Sequence, residues 1–479
     1  MTDQLYFSRD SKVFIKKGSH VWEMPVLDGF SFSQATNASE VTLNEMSDTA
    51  GNSRRGRRMF NDSYAPAEWS FSTYARPFAS TGLGGGKASD TSGKHHAVEE
   101  VLWAMMVGDA TYSSAVSSDG AVATISGTKT IEDLTGDDKL GADATFTVNT
   151  TTDGGGSGAT FLITYTETSG TLVASKGAET GSGYTANDKI FVSKEALATA
   201  LGVAESAIET NDANNDLEAL VASVGTASGG TTFTGFDRTT GNDLDIDFGS
   251  SNKTTLGTAD FFFVLGGSTT GTKTTYKIAN CCVNEASIDF DIDGIATINW
   301  SGMGTIITED TAPTATIYEG VNSTSNFIRN RLSTLAASST SPGSATYDVV
   351  LTGGNVTISN NMTFLTPETL GLVNQPLGHV TGARSVSGSF TCYLNAKSLS
   401  SADLFENIVA GTTTITNDFD LTFKVGGNNT PRVELGMTNC HLEVPTHSIE
   451  DVISLETTFH ALPSAIDGTD ELTVKYVGA

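Results

Sequence analysis

One stretch of this chain recurs 160 residues later. Asp260-Phe-Phe-Phe-Val-Leu-Gly-Gly267 returns as Asp420-Leu-Thr-Phe-Lys-Val-Gly-Gly427, each reading as a strand that ends in a Gly-Gly turn. Asn280-Cys281 returns as Asn439-Cys440, and carrying that offset forward without a gap places Trp300 on Phe459. Upstream, Phe71-Ser-Thr-Tyr74 resembles Phe390-Thr-Cys-Tyr393. A helix pattern follows each: Val98, Val101, Leu102 and Met105 before Gly108, then Leu404, Phe405 and Ile408 before Gly411. Both halves therefore read strand, strand, helix, Gly stop, strand, Gly-Gly turn and two closing strands. The shared order carries the argument, because no single match is strong.

The halves differ between the helix and the Gly-Gly strand, where the first carries about 140 extra residues, the size of a small domain. That segment has strand patterns at Ala144–Val148 and Ala159–Tyr165, and helix patterns at Lys194–Leu201 and Asp216–Val224. It reads as a small α+β or β-rich domain inserted at a loop tip and facing outward, since loop tips tolerate insertion. The expected division is 1–110 with 256–310 as the first repeated domain, 111–255 as the insertion and 311–479 as the second. Residues 310–344 read as a linker region whose apolar-basic stretch Phe327-Ile-Arg-Asn-Arg-Leu332 is a candidate to dock.

Composition agrees with a mainly β chain. Charged residues are 17% and Gly is 50 of 479, which suits short strands joined by turns. Asp and Glu number 55 against 27 Lys and Arg, a net charge of −28. Such a chain repels phosphate backbones, so a nucleic-acid reader is excluded as the first reading. No apolar run approaches the ~20 residues of a membrane helix, and residues 1–17 lack the basic-then-apolar order of an export signal. Cys281, Cys282, Cys392 and Cys440 form no C-x-x-C pair and read as reduced, buried thiols without zinc.

The order of elements resembles the tail tube (major tail) proteins of tailed bacteriophages, in a tandem-domain form. The residues that carry the likeness are Val26-Leu-Asp-Gly-Phe-Ser-Phe-Ser33, the strand Glu68–Tyr74 with its following helix, and the closing strands over 280–304, with the later elements repeated in the second half. The resemblance implies two tandem β-sandwich or open-barrel domains, each with one flanking helix. It implies a structural role with no catalytic residues and no cofactor, in trimeric, pseudo-sixfold rings stacked into a channel for DNA. Its implied partners are other copies of the chain, the tape measure protein, the tail terminator and baseplate or tail-tip proteins. Double-stranded DNA passes without specific binding and no membrane is involved. Assembly takes place in the host cytoplasm and the product lies in the virion tail. In the family a loop reaches the neighbouring ring. Here that loop is long in the first half (47–67) and shorter in the second (371–383), which favours ring contacts from the first half. A capsid decoration or fibre protein is the first rival, and a secreted carbohydrate-binding adhesin the second.

Arg54, Arg55, Arg57 and Arg58 form the basic cluster of the chain; with acidic surroundings and no interleaved aromatics it reads as an inter-ring contact loop ahead of a plain solvated loop, with a nucleic-acid patch last. Asp289-x-Asp291-x-Asp293-Gly294 matches the opening of a calcium loop, but Trp300 stands where a bidentate Glu is needed. Strand alternation is the better reading, with Ile288, Phe290 and Ile292 on one face and the three carboxylates on the water-facing other; under the resemblance that water is either the lumen, which Asp289, Asp291 and Asp293 are then candidates to face, or the outside of the tube. Gly84-Gly85-Gly86-Lys87 lacks the first Gly and the Ser/Thr of a phosphate loop. His95 and His96 stand four residues before Glu99 and Glu100, which reads as a solvated helix start rather than a metal site. No G-x-S-x-G or H-E-x-x-H motif gives hydrolase chemistry a foothold.

Overall fold

The structure, a computed structural model, describes residues 6–18, 20–41, 49–51, 58–81, 93–108, 112–113, 120–128, 140–208, 217–225, 232–233, 236–237, 242–246, 248, 256–267, 273–314, 319–341, 345–410 and 418–478. The fold is mainly β and sandwich-type, with three short helices among the described residues. The chain forms two compact units, Met1–Ser80 with Gly93–Tyr112 and Phe233–Ala479, and Thr81–Ser92 with Ser113–Thr232.

In the larger unit the strands used below are β1 (Tyr6–Lys17), β2 (His20–Met24), β3 (Ser31–Ser33), β4 (Ala67–Tyr74), β5 (Ala259–Gly267), β6 (Lys273–Asp291) and β7 (Thr297–Gly304). They continue with β8 (Thr334–Ser341), β9 (Ala345–Val349), β10 (Leu351–Ser359), β11 (Ser385–Tyr393) and β12 (Asp418–Val425). The last are β13 (Arg432–Leu442), β14 (Thr446–Ser448), β15 (Ser454–Ala461) and β16 (Thr473–Val477). The first set pairs as β2–β1–β5–β6–β7–β4–β3. The second pairs as β9–β8–β12–β13–β15–β11–β10, with β14 extending the β13 edge of β15. The two sets follow one plan, and β6 pairs antiparallel with β10 to join them in a single sheet, from Glu285 opposite Ser359 to Asp291 opposite Gly353.

The ladders fix which positions correspond. Asp289 faces Thr297 as Ser448 faces Ser454, and Trp300 faces Phe71 as Thr457 faces Phe390. Trp300 thus corresponds to Thr457 and not to Phe459. The ungapped offset fails because the turn before β15 is two residues shorter than the one before β7. A further difference lies in the expected linker: β8 begins at Thr334 and is built into the sandwich. Before it, Ile328 and Asn330 are buried, and Ile328 O accepts from Ala296 N at 3.0 Å. Two residues of the expected docking stretch are therefore core, while Arg329, Arg331 and Leu332 stay exposed.

Alternation explains the sheet. In β4, β7 and β15 every second residue is buried. The buried faces meet a second layer, with Trp69 on Phe261 (ring centroids 4.5 Å apart) and Phe459 on Phe423 (5.7 Å). Helix α1 (Glu100–Val107) is buried on every side and stops at Gly108, whose φ of 87° only Gly adopts cheaply.

The smaller unit has a three-stranded sheet (144–149, 157–166, 171–182) and a four-stranded one (121–126, 217–225, 189–192, 151–152). Helix α2 (Lys194–Leu201) forms where its pattern places it; Ser193 Oγ accepts from Ala196 N at 3.2 Å as its cap. The helix expected over 216–224 is instead the strand Leu217–Gly225. Leu217, Ala219 and Val221 are buried at period two, and pairing on both sides overrides the helical reading.

Candidate assembly surface

The single sheet from β3 through β14 has two unlike faces. One is core. The other displays, strand by strand, Ser31 and Ser33; Glu68, Ser70, Ser72 and Tyr74; Thr297, Asn299 and Ser301; and Glu285, Ser287, Asp289 and Asp291. Across the β6–β10 joint it continues through Asn355, Thr357 and Ser359, then Ser385, Ser387, Ser389 and Thr391, then Glu456, Thr458 and His460. Hydroxyls, amides and carboxylates dominate, and the paired positions of this face carry no Lys or Arg.

Asp289 and Asp291 lie on this face. Asp289 is half-buried and accepts from Asn299 Nδ2 at 2.5 Å and Ser287 Oγ at 3.3 Å. Burial pushes its carboxyl above the ordinary range, and these hydrogen bonds oppose the shift. The alternation ends sooner than expected. Asp291 is the last strand residue, and its Oδ1 accepts from Gly294 N at 2.6 Å, closing a turn. Ile292 is 48% exposed rather than buried. Asp293, beyond the strand, sits 3.6 Å from Arg331 in an exposed ion pair. Glu68, Glu285 and Glu456 were missed, although the alternation in Glu68–Tyr74 was legible.

Arg54, Arg55 and Arg57 lie outside the described residues, as do Gly84 to Lys87 and Gly411. Arg58 is exposed, and its carbonyl accepts from Val41 N at 2.9 Å. It leads into the hairpin Thr36–Glu40 with Met59–Tyr64. A second hairpin, Thr363–Leu365 with Gly378–Val380, lies beside it: Tyr64 N donates to Asn374 O at 2.9 Å. The second hairpin carries Leu370 and Leu377 fully or mostly in the open, and the first carries Met59 and Phe60 exposed. Exposed apolar side chains thus sit on both hairpins.

His96, Glu99 and Glu100 are buried, which overturns the solvated-helix reading. His96 Nδ1 lies 2.9 Å from Glu100, and His95 Nδ1 lies 3.0 Å from Asp243. The signal missed was the apolar ring of α1, which draws its first turn inward. All four cysteines are free and buried. Among the described residues no group of three or more His, Cys, Asp or Glu side chains is placed to hold a metal, and no helix is long and apolar enough to cross a membrane. A cleft of about 550 Å³ near Met106, Phe248 and Asn360 is crossed by the ion pair Arg384–Glu471 at 2.5 Å.

The fold is a mainly β sandwich with one long polar sheet face. Over 209 residues the chain is 34% identical to the tail tube protein pb6 of Escherichia phage T5. The resemblance to phage tail tube proteins is thus borne out by sequence identity. The match takes in 42% of this chain and 45% of that protein, so the chain spans less than half the length of the relative it matches. No family model matches the chain.

Proposed function

We propose that this chain is the subunit of a phage tail tube, a structural virion protein without catalytic chemistry. Its two strand sets act as tandem domains, so that three chains make a closed, pseudo-sixfold ring. Rings stack, with the two hairpins and the Arg54, Arg55, Arg57 and Arg58 loop reaching the next ring. The tape measure, terminator and baseplate or tail-tip proteins set the length and ends, and the tube belongs to the virion tail.

The observation that carries the reading is the polar sheet face, unbroken across the β6–β10 joint and bearing carboxylates without Lys or Arg. Placed around a lumen, Glu68, Glu285, Asp289, Asp291 and Glu456 line the channel, and Asp293 marks its rim. Duplex DNA carries one charge per ~1.7 Å, and a basic wall would hold it through released counterions. An acidic hydroxyl-rich wall lets it slide.

Electron microscopy and native mass spectrometry of the purified full chain test this. Rings or tubes in multiples of three chains are expected, with Asp289 and Asp291 toward the lumen in the density. A chain that stays monomeric in every condition, or a tube with that face outside, overturns the reading.

A further inference from the structure

Three segments far apart in the chain meet beside the end of β6. Asp289 and Asp291 stand two residues apart on the polar face of that strand, so both carboxylates leave it on the same side. The chain then turns, and the stretch leading to β8 lies against the turn: Ala296 N donates to Ile328 O at 3.0 Å, and Asn330 N donates to Gly294 O at 3.1 Å. These bonds carry Asn330 to the carboxylates. On the other side β10 sets Gly353 opposite Asp291 and Gly354 opposite Phe290, with no side chains to fill the space. The result is a hollow of about 340 Å³ whose lining includes Asp289, Asp291, Gly294, Thr297, Asn330 and Gly354.

Oxygens in this hollow lack donors. Asn330 is 5% exposed, and its Oδ1 is buried with no hydrogen-bond partner. Buried polar atoms are nearly always met by some partner, so an orphaned one points to a group it would receive. Asp291 Oδ1 accepts from Gly294 N at 2.6 Å, and among the described residues nothing donates to its Oδ2. No Lys, Arg or His lines the hollow. Asp293 lies outside it, 3.6 Å from Arg331.

We infer that this hollow is a site for a hard divalent cation of the calcium class, held by Asp289, Asp291 and the Asn330 Oδ1. Carboxylate and amide oxygens are the donors such an ion takes, and calcium accepts an irregular set where magnesium demands an octahedron. Three side chains leave the remaining positions to water, which places the affinity in the weak range, with Kd about 10⁻⁴–10⁻³ M. The Asp-x-Asp-x-Asp-Gly run thus supplies its first two carboxylates, and the third donor comes from the stretch before β8. The second half lacks the set: Ser448 holds the ladder position of Asp289, and Glu450 alone follows two residues on. The ion ties the end of β6 to the chain entering β8. The site is complete within one chain and does not depend on the tail tube reading.

Equilibrium dialysis of the unassembled full chain against calcium chloride, in about 0.15 M salt to screen diffuse attraction, tests it. One saturable equivalent per chain is expected. Asp291→Asn keeps the acceptor for Gly294 N, and Asn330→Leu keeps the volume; each should weaken binding about tenfold. Asn330→Asp adds a charged donor and should tighten it about tenfold. Glu285→Gln and Glu450→Gln remove carboxylates elsewhere and should leave it unchanged. Calcium at about ten times Kd should raise the melting temperature by about 2 °C in the wild-type chain and not in Asn330→Leu. Equal weakening by every carboxylate change is diffuse attraction to a chain of charge −28 and overturns the site. No saturable uptake up to about 10 mM calcium also overturns it. If Asn330→Asp binds no tighter and Asn330→Leu no weaker, the amide serves the fold alone, and the inference falls.

Discussion

Trp103 Nε1 donates a hydrogen bond to the Tyr476 hydroxyl at 2.7 Å, with both side chains fully buried. The bond ties α1 to β16, near the end of the chain. Trp103 also meets Trp300 edge-on, with ring centroids 4.9 Å apart. Tyr476→Phe keeps the ring and removes the acceptor, stranding an indole N–H in the core. It should lower stability by about 1–3 kcal/mol in urea unfolding. Adding Trp103→Phe removes the stranded donor, so the double mutant should lose less than the sum of the single changes.

Glu99 supplies a pH signature. Burial raises its carboxyl to about 7, against opposing effects from the Tyr476 hydroxyl, backbone N–H groups and Arg76. A folded-state value above the unfolded one means that the native state binds the proton more tightly. The associated stability is complete below about pH 4.5 and is lost as the pH rises to about 7, amounting to about 3 kcal/mol. Unfolding free energies from pH 4 to pH 8 should show this fall in the wild-type chain, and Glu99→Gln should flatten it. An equal slope in both proteins would assign the effect to other groups.

The segment of about 140 residues should be dispensable for folding of the larger unit, provided the cut spares the residues that return to it. Leu244 to Ile246 pair with β16, and Phe248 is buried in the same core. Replacing residues 114–231 with a short Gly/Ser linker should give soluble protein with a cooperative unfolding transition. Extending the deletion through Phe248 should cost several kcal/mol, on the scale of about 2–5 for each large core side chain lost. Equal behaviour of the two deletions would be the contrary result.

Changing Arg54, Arg55, Arg57 and Arg58 to Ser should weaken ring stacking more than folding. Exposed ion pairs contribute only ~0–1 kcal/mol each, yet in the proposed tube they would recur around every ring. Light scattering should show assembly shifted to higher protein concentration and more sensitive to salt, with the melting temperature of unassembled chain held constant. A collapse of that temperature with stacking intact would place the cluster in the fold instead.

Sequence by itself determined the elements of this protein. Period-two alternation marked the end of β6, the Gly108 stop ended α1, and the two Gly-Gly strands announced a recurring plan. These signals are local, since a strand face or a helix stop is written in a few neighbouring residues. Tertiary structure decided the rest. Residues 217–225 became a strand because two partners flanked them. Asp293 left the carboxylate row because Asp291 turned to bind Gly294 N. Glu99 and His96 went inside because α1 is apolar all round. The correspondence of Trp300 with Thr457 needed the ladders, because a shorter turn changes the offset without marking it. The pairing of β6 with β10 is a relation between strands far apart in the chain. Register across such distances depends on which faces are buried together, and only the folded chain brings those faces into one place.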